Sequence, residues 1–229
     1  MSQPGIIQEN LTATTLTAPK DTMSLWNALA ILVIVIGVLA AGGYALGKYK
    51  FWKTYDTTPR LDRMEALYNE KVAADPNNPI NYVNLGYVYF QKKDFEKAIA
   101  DYRKAISLDD KNYAAHFNLG AAYAQTGKDD RAISEYQKAI DIAPRAEDAH
   151  LSLGMLYKAK SDWVKAEKEL ETANSLNPGD VVVLYNLGTV KEKQGNKDEA
   201  INIYQSAVQL MPTYTEAKQA LQRLKSAQK

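Results

Sequence analysis

Residues 81–110 read NYVNLGYVYFQKKDFEKAIADYRKAISLDD, and residues 115–144 read AHFNLGAAYAQTGKDDRAISEYQKAIDIAP. The second stretch is the first displaced by 34 positions. Laid on one another they keep Leu-Gly, then Tyr, and later Ala, Tyr and Ala at equal spacing. The dipeptide recurs at Leu85-Gly86, Leu119-Gly120, Leu153-Gly154 and Leu187-Gly188. A fixed period of this length marks a stack of supersecondary units, each too small to bury its own apolar face and each covered by its neighbours.

Four units follow from this register. The first, 79–112, carries Tyr82, Leu85, Gly86, Tyr89, Ala98, Tyr102 and Ala105, with Asp110 near its end. The second, 113–146, carries His116, Leu119, Gly120, Tyr123, Ala132, Tyr136, Ala139 and Pro144. The third, 147–180, has His150, Leu153, Gly154, Tyr157, Ala166, Leu170, Ala173 and Pro178, and the fourth, 181–214, has Leu184, Leu187, Gly188, Ala200, Tyr204, Ala207 and Pro212. Gly and Ala at these places allow two helices to cross closely, the large rings fill the space between them, and each Pro stops a helix. The pattern resembles the tetratricopeptide repeat (TPR) family, in which Leu-Gly, Tyr, Ala, an aromatic and Pro recur on a 34-residue frame. The resemblance implies an all-α, right-handed solenoid of four helix pairs. Lys191 departs from it, standing where the other units have Tyr. The expectation is that a polar residue in a last unit with few neighbours costs little.

The flanks extend the frame. Residues 61–78 hold Tyr68 and Pro76, one period before Tyr102 and Asp110, and read as an N-terminal capping helix. Residues 215–229 place Ala217, Ala220, Leu221 and Leu224 on one side of a polar helix, as a C-terminal cap requires.

Ahead of the repeats the composition changes twice. Residues 1–23 are polar and Thr-rich, without apolar period, and predict a flexible tail. Residues 25–46, LWNALAILVIVIGVLAAGGYAL, carry no charge. As a helix they span roughly 33 Å against a hydrocarbon core of about 30 Å. Trp26 stands at one end and Tyr44, Tyr49, Phe51 and Trp52 at the other, as headgroup layers favour. The preceding stretch has only Lys20 as a basic side chain, too little for a cleavable signal peptide. The reading is a transmembrane helix over 24–47 and a juxtamembrane linker over 48–60. Lys48, Lys50, Lys53, Arg60 and Arg63 follow the span, so the repeats are expected on the cytoplasmic side of a single-pass protein, with the N-terminus outside. Gly37, Ala41, Gly43 and Gly47 have the spacing that lets two such helices associate, a route to a homo-oligomer.

Composition excludes several classes. The chain has no Cys, which removes disulfides and thiolate chemistry. Its formal net charge is +1, and the part from residue 60 onward holds as many acidic as basic side chains, so no basic groove for nucleic acid is present. The two histidines, His116 and His150, fall on the slot that Tyr82 and Leu184 fill elsewhere, so they read as packing residues rather than metal ligands. No nucleophile–base set or phosphate-binding loop stands out. The sequence calls for no cofactor or metal, and the chain reads as a non-enzyme.

In the family, positions 2, 5, 9 and 12 of each unit usually face a concave groove. The resemblance therefore implies a peptide-binding groove through Ile80, Val83, Tyr87, Phe90, Phe117, Ala121, Leu151, Met155 and Tyr185, with Asp148, Lys158, Val182 and Glu192 at the same positions. Its first half is apolar and aromatic, and Tyr87, Phe90 and Phe117 are expected to dominate affinity. The basic and Asn residues of a chaperone-binding carboxylate clamp are missing from Val83, Tyr87, Asp148 and Ser152. The expected function is a membrane-anchored scaffold or adaptor that binds a protein or peptide segment. The alternative is a structural or assembly subunit of a membrane complex, or an extracytoplasmic assembly factor if the orientation is reversed.

Overall fold

The computed structural model describes residues 58–227. The expected tail, membrane helix and most of the linker lie outside the described residues, as do the small residues expected to pair two copies. Among the described residues no helix is long and apolar enough to cross a membrane.

Ten helices follow one another: α1 Thr58–Ala74, α2 Pro79–Gln91, α3 Phe95–Leu108, α4 Tyr113–Gln125, α5 Asp129–Ile142, α6 Glu147–Ala159, α7 Trp163–Leu176, α8 Val181–Lys193, α9 Lys197–Leu210 and α10 Thr215–Ser226. Side chains start several of them. Asn78, Asp94, Asn112, Asp162 and Asp180 each accept a hydrogen bond from a first-turn backbone N–H, which satisfies a donor the helix cannot. Within each repeat the first helix ends at one residue in the left-handed region: Lys93, Gly127, Ser161 or Gly195, with φ between 59° and 89°.

The close crossing is enforced by size. All eight repeat alanines, Ala98 and Ala105 and their equivalents, are fully buried. A Cβ on Gly86, Gly120 or Gly188 would stand 2.7–2.9 Å from the ring of Tyr102, Tyr136 or Tyr204, and one on Gly154 would stand 2.8 Å from Leu170 Cγ. Each glycine thus makes room for the side chain sixteen positions later, which itself is at most 5% exposed.

Every helix packs on its sequence neighbours, and consecutive first helices (α2, α4, α6, α8) also pack on one another. No comparable packing joins consecutive second helices. The first helices therefore form the inner face of the stack. α1 covers the start of the first repeat and α10 packs on α9, so both ends are closed by a single helix.

Candidate binding face

The inner face is built from α2, α4, α6 and α8, and the residues expected to line it divide into two groups. Ile80 is 60% exposed, Tyr87 46%, Met155 42% and Val182 38%. All four stand at the second or ninth position of a repeat. The others are fastened to the frame. Phe90 meets Phe95 edge-on with centroids 5.4 Å apart. Phe117 lies between Tyr113 and Tyr136, at 5.8 and 5.6 Å. Tyr185 touches Tyr204 and Tyr214. Ala121 and Leu151 are half-buried against the core. Val83 corrects the expectation: it is buried with Ala105 and Ala115 beneath the surface.

Two shallow depressions open on this face. One, of about 250 Å³, is lined by Ala124, Gln125, Tyr136, Ser152, Met155 and Leu156. The other, of about 170 Å³, lies between α1 and α2 and is lined by Arg60, Leu61, Met64, Tyr87 and Gln91. Apolar side chains of α1 thus adjoin Tyr87, a contribution absent from the repeat pattern because α1 precedes the first full unit.

Charge on the face is concentrated in the third and fourth repeats. Tyr113 Oη donates to Asp148 Oδ1 at 2.5 Å, and burial followed by that carboxylate raises the phenol above its ordinary value. Glu192 accepts from Arg223 at 2.8 Å and from Tyr204 Oη at 3.3 Å. Lys158 Nζ donates to Asn186 Oδ1, and burial holds its ammonium below the usual lysine range.

The histidines are part of the frame. His116 Nδ1 is 2.7 Å from Glu135 and its Nε2 is 3.1 Å from the Asp110 carbonyl. His150 repeats this with Glu169 at 2.7 Å and the Pro144 carbonyl at 3.2 Å. Tyr82 reaches the Pro76 carbonyl from the same slot at 3.1 Å. The shared task is to tie a first helix to the turn before it. Among the described residues no three His, Asp or Glu side chains gather as a metal site would need.

Lys191 overturns the expectation of an inconsequential polar substitution. It is 6% exposed. Its Nζ contacts Glu167, Glu199 at 3.0 Å and Glu171 at 3.2 Å. Burial pulls its proton affinity down, but the hydrogen bonds to three glutamates outweigh it and hold the ammonium above the usual lysine range. The sequence carries a signal for this. Arg103 donates to Tyr123 Oη at 2.6 Å and Gln137 to Tyr157 Oη at 3.2 Å. One period later the pair is Glu171 and Lys191, so donor and acceptor have exchanged together.

Comparison with known proteins agrees with this architecture. Models of the TPR repeat match residues 86–127 and 122–161, and a tetratricopeptide-repeat model matches 157–224. The chain belongs to the tetratricopeptide-repeat family. A crystal structure of MamA is similar at 27% identity and TM-score 0.64, over 70% of this chain and 94% of that one. MamA 41-end from Desulfovibrio magneticus RS-1 is 17% identical with TM-score 0.62, over 67% and 87% of the two chains. YrrB, described as a TPR protein with an unusual peptide-binding site, is 21% identical with TM-score 0.61, over 72% and 84%. The last two likenesses bear on the fold alone. No curated protein sequence matches the chain.

Proposed function

We propose that this chain is a membrane-tethered adaptor that holds an extended segment of another protein against the inner face of its repeats. The carrying observation is that Ile80, Tyr87, Met155 and Val182, all at the second or ninth repeat positions, leave 38–60% of their area in water. Apolar side chains aligned on one rigid face gain about 25 cal/mol per Å² when a partner covers them. A preformed helical stack adds little ordering cost on binding. The tether is residues 25–46, uncharged and long enough to cross, and the Lys/Arg flank after it favours a cytoplasmic repeat domain.

Affinity is carried by Tyr87 and Met155 rather than by Phe90 and Phe117, whose rings already pack within the stack. The test places a photocrosslinking side chain at Gln91, beside Tyr87, in native membranes. Tyr87→Ser with Met155→Ser should lower partner capture at least tenfold and leave the melting temperature within about 2 °C, as exposed substitutions do. Capture that survives the double change removes the reading. Protease accessibility of the repeats in intact cells settles sidedness in the same preparation.

A further inference from the structure

Lys158 is the third repeat's twelfth residue, half-buried on the inner face and one turn from exposed Met155. An ammonium has three donors. One goes to Asn186 Oδ1, and among the described residues no carboxylate pairs with the rest. The inner-face carboxylates of the third and fourth repeats are themselves engaged: Asp148 by Tyr113, and Glu192 by Arg223 and Tyr204. Asn186 is 3% exposed and is itself held, its Nδ2 donating to the Val182 carbonyl at 2.7 Å. A buried carboxamide therefore fixes the position of a cation that has lost water without gaining an opposite charge. Buried charge of this kind is costly unless paired. A carboxylate arriving from outside would supply the missing partner as a charge-assisted bond.

We propose that Lys158 and Asn186 form an acid-reading subsite, so that the bound segment carries an Asp or Glu side chain beside an apolar residue seated at Met155. The inference rests on the inner-face reading above. The acid is internal to the segment rather than its terminus, because the face continues beyond Lys158 to the exposed Val182. Neighbouring first helices are about 8–10 Å apart, so Tyr87 on α2 and Lys158 on α6 are separated by about 20 Å. An extended chain rises about 3.3 Å per residue, which places a second apolar residue about six positions from the acid.

The experiment selects dodecapeptides from a random phage-displayed library on the full chain in detergent micelles, and on three variants. Wild type should enrich sequences with one Asp or Glu near an aliphatic residue. Replacing that Glu by Gln in synthetic copies should weaken binding about tenfold. Lys158→Met should keep the apolar preference and erase the Glu/Gln ratio, with Lys158→Gln as a second variant and melting curves as the check on folding. A Glu/Gln ratio near one on wild type, or one unchanged in both Lys158 variants, overturns the subsite while leaving the face reading standing. Identical selections on wild type and on Tyr87→Ser/Met155→Ser, or no enrichment on wild type, overturn the face reading and the subsite with it.

Discussion

At the junction of the second and third repeats, Gln137 donates to the hydroxyl of Tyr157. At the junction of the third and fourth, the same two places hold Glu171 and Lys191, and Glu167 and Glu199 close around the ammonium. The helices that carry these side chains run through the same register in both. What holds the helices together is the common set of Gly, Ala and Leu. What fills the slot between repeats is free to change, provided both sides change together. A neutral rung and an ionic rung differ in how they fail: losing a phenol leaves an amide that water can serve, whereas losing the lysine leaves three carboxylates facing one another.

That contrast predicts the largest effect. Lys191→Ala should destabilise the chain by about 2–4 kcal/mol, between the small value of an exposed ion pair and the larger one of a buried pair left half-broken. Lys191→Tyr, which restores the side chain of the other repeats, should cost less than half as much, since the phenol can donate to Glu171. Chemical denaturation of both variants reads the difference. Equal losses would mean that the slot is indifferent to charge and that the two junctions are the same in substance.

A second test addresses what the junctions share. Gly120→Ala drives a Cβ to within 2.9 Å of Tyr136, whose ring Phe117 and the core confine. Overpacking of this sort costs about 1–3 kcal/mol. Gly154→Ala meets Leu170 Cγ at 2.8 Å and its backbone nitrogen at 3.3 Å, so the leucine cannot simply swing aside. Both variants should therefore melt lower by similar amounts, in an apolar-ring repeat and in a leucine repeat alike.

Much of this was legible before any coordinates. A 34-residue period fixes helix order because each unit must repeat its neighbour's burial, and Gly86, Gly120, Gly154 and Gly188 announce where helices cross. The face was legible only in part. Position numbers select Ile80, Tyr87 and Met155 correctly as exposed side chains, but they also select Val83, whose burial depends on the small Ala105 and Ala115 that meet it across two other helices. Ala115 belongs to the next repeat, and a one-repeat pattern carries no information about such a neighbour. The role of Lys191 is hidden from a single repeat for the same reason. Its three glutamates lie on α7 and α9, and the pairing emerges only when residues from successive repeats are compared slot by slot.

A smaller effect separates the first repeat from the two after it. Glu135 and Glu169 each have a histidine partner, while Asp101, at the same place in the first repeat, has its Oδ2 buried and unbonded. Burial pushes its carboxyl up to about 6. The folded chain thus binds this proton more tightly than the unfolded chain, whose ordinary value is about 3.9. Folding takes up a proton between those limits, and the contribution to stability falls as pH rises from about 4 to about 6. Asp101→Asn should remove that slope, so the stability difference between variant and wild type should grow in the variant's favour across the window. A difference that is flat from pH 4 to 6.5 would show that Asp101 is solvated like any surface carboxylate.

The smallest effect compares the turns of the second and third repeats, which share two backbone hydrogen bonds around their left-handed residue. Gly127 N donates to the Ala124 carbonyl and Lys128 N to that of Tyr123, while Ser161 N donates to Lys158 and Asp162 N to Tyr157. The left-handed residue is Gly127 at φ 68° in one and Ser161 at φ 59° in the other. An L side chain in that region costs about 1–2 kcal/mol, offset in part by the greater freedom glycine has when unfolded. Ser161→Gly should then stabilise by about 0.5–1 kcal/mol. Gly127→Ser should destabilise by the same amount, since a Cβ there would meet nothing within 4 Å and only the backbone term remains. Denaturant midpoints that move in opposite directions by equal steps would show that backbone preference alone decides which residue suits the left-handed position. Shifts of the same sign would mean that the serine hydroxyl contributes a bond of its own to the third repeat's turn.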